Sequence, residues 1–119
     1  MNKNELEPNI FVMDTDGSIE TTYSDQPQTL NDIKKFLGFG DKDYLELKNV
    51  YFRAESAQMW FHEEGKLFRF APNATATAIL MSSWLAEYKI RIYDYNNISG
   101  FVDMVVGRVV VLMNKAKAE

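Results

Sequence analysis

Ile10-Phe11-Val12-Met13 is an apolar, β-prone run, Asp16-Gly17 is a tight-turn pair, and Ser18 to Tyr23 resumes with β-branched residues. The chain is therefore expected to open with a hairpin. Thr29 stands as an N-cap with an acid, Asp32, three residues on, while Leu30, Ile33, Phe36 and Leu37 share one helical face and Gly38 supplies the stop. This predicts a helix over about residues 29–37. From Tyr44 to Val50 apolar and polar residues alternate, the pattern of a half-buried strand that runs on to Phe52. Gln58–Glu63 and Lys66–Phe70 flank Glu64-Gly65, which predicts two more strands around a second tight turn.

Between Ala74 and Tyr88 the alanines, Ile79, Leu80, Met81, Trp84, Leu85 and Tyr88 recur at helical spacing, with Asn73 or Thr75 as cap. A second, largely buried helix is expected there. Ile90–Tyr95 alternates like a strand, Asn96-Asn97 turns, and Val109–Met113 is the continuous apolar run of a central strand. The sum is an α+β protein: one domain over residues 1–119, a mostly antiparallel sheet of about five to seven strands, and two helices. Residues 1–7 and 115–119 are expected to be flexible ends.

Composition narrows the chemistry. The 119 residues suit one core, and the absence of cysteine removes disulfides, thiolate metal sites and a Cys nucleophile. No basic leader precedes an apolar run and no stretch approaches a membrane span, so a cytoplasmic protein is expected. Residues 1–50 carry 10 acids against 5 bases and residues 51–119 carry 7 against 8, which gives −5 and +1 and the formal net charge of −4. That balance offers no basic stripe for nucleic acid.

Four groups of residues are candidates for chemistry. Asp14-Thr15-Asp16-Gly17-Ser18 after an apolar strand resembles the first motif of haloacid-dehalogenase-type phosphatases, where one carboxylate attacks phosphorus and the other acts as acid and base beside magnesium. The short segment that follows leaves no room for that parallel fold, so a hairpin turn is the expectation and an Asp14/Asp16 enzyme the alternative. His62, the sole histidine, lies beside Glu63 and Glu64 with no spaced nucleophile, which favours a structural or surface role over catalysis. Trp60, Tyr93 and Tyr95 are among the aromatics that strand alternation offers to a partner on one face, unless a sheet covered on both sides buries them. Arg53, Arg69, Arg91 and Arg108 either converge with the helix N-terminus at Asn73 into an anion pocket or are unrelated surface charges.

The stretch Phe61–Leu80, with Glu63-Glu64-Gly65-Lys66-Leu67, Pro72-Asn73 and Ala76-Thr77, resembles a bacteriophage and plasmid family known as domain of unknown function 3846. Asp16–Glu20 with the Leu30 helix and Val106–Leu112 resemble that family's start and late elements. The family's Gly and Pro fall at Arg69 and Ala71, and residues 82–98 have no counterpart. The resemblance implies a mobile-element origin. In that context a small acidic protein is expected to be a non-enzymatic, counter-defence binding protein without cofactor or metal. It would act by sequestering a host immune nucleotide or by inhibiting a host defence protein. Arg69, Asn73, Arg108, Trp60, His62, Tyr93 and Tyr95 are its expected contact residues, and a homo-oligomer is compatible. A nucleic-acid accessory is a further alternative.

Overall fold

The computed structural model of the protein describes residues 6–65, 70–88 and 104–119, and the backbone alone for 84–88. Five strands, β1 (Ile10–Met13), β2 (Ile19–Thr22), β3 (Leu45–Phe52), β4 (Glu55–His62) and β5 (Val109–Met113), form one antiparallel sheet in the order β2-β1-β5-β4-β3. Helix α1 (Leu30–Leu37) follows the first hairpin and α2 (Ala74–Tyr88) follows the second. The chain thus makes two hairpin-plus-helix units, and β5 joins them. It pairs Val109–Leu112 with β1 on one side and Val110–Met113 with β4 on the other. The α+β class and both helix spans agree with the periodicity of the sequence. Among the described residues no helix is long and apolar enough to cross a membrane.

The two faces of the sheet are packed by different helices. Phe11, Met13, Val50, Ala57, Met59, Phe61, Val109, Val111 and Met113 form the core under Ala76, Ile79 and Leu80 of α2. Ile10, Val110 and Leu112 meet Ile33 and Leu37 of α1, with Trp60 and Leu45 at the margin. Every residue of β5 is buried, since alternate side chains meet opposite helices. That double cover is why the run Val109–Met113 shows no polar alternation.

Local sequence explains the ends of the elements. Thr29 and Asp32 form a capping box: the Asp32 N–H donates to Thr29 Oγ1 at 3.1 Å and the Thr29 N–H to Asp32 Oδ2 at 2.9 Å. The Thr29 backbone N–H first, and then the Thr29 side chain, hold the Asp32 carboxyl below its ordinary range. Gly38 ends α1 in the left-handed region at φ 73°. Asn73 caps α2, its Oδ1 accepting the Ala76 N–H at 3.0 Å. Of the described α2 side chains Ala76 and Ser83 are buried, and Ile79, Leu80 and Met81 are half-buried, with Ile79 and Leu80 packed on the core. Over residues 74–83 the cover is partial; the side chains of Trp84, Leu85 and Tyr88, on which the expectation of burial also rested, lie outside the described residues.

Two other expectations change. The chain turns over 63–65 as expected, and a hairpin turn not expected from the sequence lies at Arg53-Ala54, between β3 and β4. Both turn residues have positive φ, 55° and 64°, which suits a two-residue hairpin but is costly without glycine or asparagine. The absence of those residues hid the turn in the sequence. The expected strand over Lys66–Phe70 lies mostly outside the described residues; Phe70 itself is in no strand. The expected strand over Ile90–Tyr95 lies outside them entirely.

The tail 115–119 is also not free. Asn114–Ala116 make a 3-10 turn, Ala116 is buried, and Ala118 exchanges two bonds with the Gln58 side chain, N–H to Oε1 at 2.8 Å and Nε2 to O at 3.0 Å. Lys117 Nζ adds a bond to Ser56 Oγ at 3.2 Å. The tail therefore runs along β4 on the α1 side. Its polar composition looks like a frayed end because the partner that holds it, Gln58, is distant in sequence.

Replacing Ala54 by glycine relieves a left-handed residue at an exposed turn without removing a contact. Ala54→Gly is expected to raise the unfolding free energy by about 0.5 kcal/mol, the gain in backbone ease being partly offset by greater unfolded-state freedom. Urea denaturation of the two proteins checks it.

Candidate binding surface

The candidate residues are not gathered into one place. Asn73 is fully buried and its amide is saturated: Nδ2 donates to Met13 O at 3.0 Å and to Gly107 O at 2.9 Å, while Oδ1 caps α2. It ties the end of β1, the approach to β5 and the start of α2, and has nothing left for a ligand. Its backbone N–H donates to Val105 O at 2.8 Å, and Thr77 Oγ1 accepts the Val105 N–H at 2.9 Å, so the start of α2 is closed by the chain itself.

Arg108 reaches Asp14 Oδ2 through Nε at 3.0 Å and Nη2 at 2.9 Å, and Nη1 donates to Phe36 O at the end of α1 at 3.4 Å. A shallow groove of about 290 Å³ beside it is lined by Val12, Ser18, Glu20, Lys35 and Phe36. Arg53 stands at the opposite end of the sheet, with its guanidinium 5.7 Å from the Phe11 ring centroid. It borders a larger groove, about 430 Å³, shared with Tyr23, Glu55, Asn114 and Lys115, where acids and bases alternate. Arg53 and Arg108 therefore do not converge. Arg69, Arg91, Tyr93 and Tyr95 lie outside the described residues.

The Asp-rich segment is the turn of the first hairpin. The Asp14 N–H donates to Ser18 O at 2.9 Å and the Gly17 N–H to Asp14 O at 3.1 Å, with Gly17 at φ 89°. Asp16 Oδ1 accepts the Ser18 N–H at 2.8 Å, and bonds from the Ser18 side chain and backbone lower the Asp16 pKa. A strand, not a helix, follows this turn, so the geometry differs from a phosphatase first motif. Among the described residues no three His, Asp or Glu side chains are grouped to hold a metal.

His62 is buried within the structure rather than exposed beside its acidic neighbours. Its Nδ1 accepts the Glu64 N–H at 2.9 Å, so a neutral ring carries its proton on Nε2, which lies 3.0 Å from Asp43 Oδ1. The rings of Phe39 and Phe70 meet it edge-on at 4.9 and 5.3 Å. Asp43 also accepts the Gly40 N–H at 2.7 Å, and the His62 bond followed by this one lowers its pKa. The histidine thus joins the loop before β3 to the end of β4. A position next to two glutamates suggests surface, but His62 is the last residue of β4 and the glutamates lie in the turn beyond it.

Where a surface does open is β3. Cross-strand partners share a face, so Leu47 with Trp60, Asn49 with Gln58 and Tyr51 with Ser56 all lie on the α1 side. An eight-residue helix is about 12 Å long and about 10 Å wide, while five strands span about 19 Å between their outer axes. Centred on β5 and β1, α1 leaves β3 uncovered beyond Leu45, which borders the α1-side core, and the tail covers only β4. Tyr51 is 57 % exposed and Leu47 39 %, with Trp60 half-buried on the same face and its Nε1 donating to Gln58 Oε1 at 3.2 Å. The alternation at Tyr44–Phe52 already marked one face as outward. What it could not show is that the outward face is the aromatic one.

No protein family, curated protein or solved structure matches the chain.

Removing the Asn73 amide leaves two buried carbonyls and the Ala76 N–H without their partner. Asn73→Ala is expected to cost about 3 kcal/mol or more in urea unfolding. Asn73→Asp is expected to cost at least as much near neutral pH, because it turns a carboxylate oxygen toward the two carbonyls that the amide serves.

Proposed function

We infer that this protein is a non-enzymatic binding module that docks a protein partner through the open α1-side face of β3. In the mobile-element setting implied by the resemblance, that partner is a component of host defence that the docking inhibits. The observation that carries this is the exposure of Tyr51 and Leu47 on the face of β3 that also holds the half-buried Trp60. Isolated exposed apolar residues are ordinary, but tyrosine and tryptophan together supply large contact area at low entropic cost. Eight strand residues extend about 26 Å, close to the side of a square patch of about 800 Å², the usual share of one partner.

Sequestering a small nucleotide asks for something else: an enclosing cleft where cations converge. Asn73 is saturated, Arg108 is held by Asp14, and Arg53 is at the other end of the sheet, so these groups favour a protein partner over a nucleotide.

Expression in bacteria whose defence system blocks plaque formation is expected to restore plaques, and Tyr51→Ala to weaken that effect with an unchanged circular dichroism spectrum. A hot-spot tyrosine at the centre of such a contact is worth about 2 kcal/mol, or about 30-fold in partner affinity. Full activity of Tyr51→Ala overturns the docking face. A stoichiometric adduct with a cyclic or ADP-ribose-derived nucleotide in native mass spectrometry overturns the protein-partner reading in favour of sequestration.

A further inference from the structure

β3 is the last strand of the sheet among the described residues, and its outer edge follows a pattern that suits one partner. Ser83 Oγ of α2 accepts the Tyr51 N–H at 2.8 Å, and its single proton is shared between Ile79 O at 2.8 Å and Tyr51 O at 3.1 Å, which places the polar groups of Tyr51 on the outer edge and occupies that position. Backbone groups of an antiparallel strand alternate in direction, so the N–H and C=O of Leu45, Leu47 and Asn49 point outward as well. Three successive outward positions are thus offered, and the fourth is closed by α2.

We propose that β3 pairs antiparallel with β3 of a second copy of this chain, about a two-fold axis through Leu47, to give a continuous ten-stranded sheet. In this register Leu47 exchanges both backbone bonds with Leu47 of its twin, and Leu45 does so with Asn49. Glu46 then lies directly opposite Lys48 at both of the close, non-hydrogen-bonded positions. Within one chain these two side chains are exposed and only 4.0 Å apart, on the face opposite to Tyr51. Sliding the pairing by one step in either direction sets Lys48 against Lys48 or Glu46 against Glu46. A larger slide toward Phe52 brings Leu47 to the position that Ser83 has closed. Charge complementarity and Ser83 together select one register. Lysine on an edge strand ordinarily deters pairing, but here the same lysine meets a glutamate in a second copy.

This inference does not rest on the partner-docking face, and its test uses residues on the other side of the sheet. Sedimentation across a concentration series is expected to show a reversible monomer–dimer equilibrium for the natural chain. Lys48→Glu and Glu46→Lys each turn both cross-strand pairs into like-charge pairs and are expected to weaken the dimer about tenfold or more. The double variant Glu46→Lys/Lys48→Glu exchanges the partners and is expected to restore it. Amide exchange at Leu45, Leu47 and Asn49 is expected to slow as concentration rises. A chain that stays monomeric at every concentration overturns the proposal. So does a dimer that Lys48→Glu leaves unchanged, or one that the double variant fails to recover.

Discussion

One buried amide holds the halves of this molecule together. β1 belongs to the first hairpin, α2 follows the second, and Gly107 leads into the strand between them; the side chain of Asn73 bonds to all three. Each bond replaces water at a backbone group that the interior would otherwise leave bare, so the amide fixes where α2 begins and hence which residues it lays on the sheet. Ala76 enters the core one turn later, and Ser83, two turns beyond that, arrives at the edge of β3. Placement at the cap thus reaches the far side of the sheet.

The two helices treat the sheet unequally, and this difference creates the open surface. α2 is long enough to run from the β1 end to the β3 edge, whereas α1 is short and stays over β1 and β5. The polypeptide after β5 extends the cover across β4 through Gln58, yet stops before β3. The α1 side is therefore built of three unlike coverings in sequence: a helix, a tail and solvent.

Much of the fold was legible because local chemistry and tertiary need agreed. The capping box at Thr29, the Gly38 stop and the uninterrupted apolar run of β5 each point to the structure they adopt. The hairpin at Arg53-Ala54 was not legible, since its backbone conformation is imposed by strand pairing on residues that do not favour it. For the site, Asn73 and His62 attracted notice as polar residues in informative places. Polarity reveals that a group needs partners, but not whether those partners are carbonyls of the same chain or a ligand. Trp60 and Tyr51 differ in the same way: residue type marks both as contact residues, and only the reach of α1 and the tail decides how far each is exposed.

The position of β5 carries a consequence for how the molecule is made. Strands β1 and β4 flank it, so the two hairpins have no sheet pairing with each other until β5 is in place. During synthesis each hairpin and its helix must wait with one edge unsatisfied, and the decisive contacts join residues far apart, Leu112 lying 102 positions from Ile10 and Val110 lying 50 from Trp60. Such a chain commits late: its ordered state is closed by the arrival of a single strand rather than grown outward from its first one.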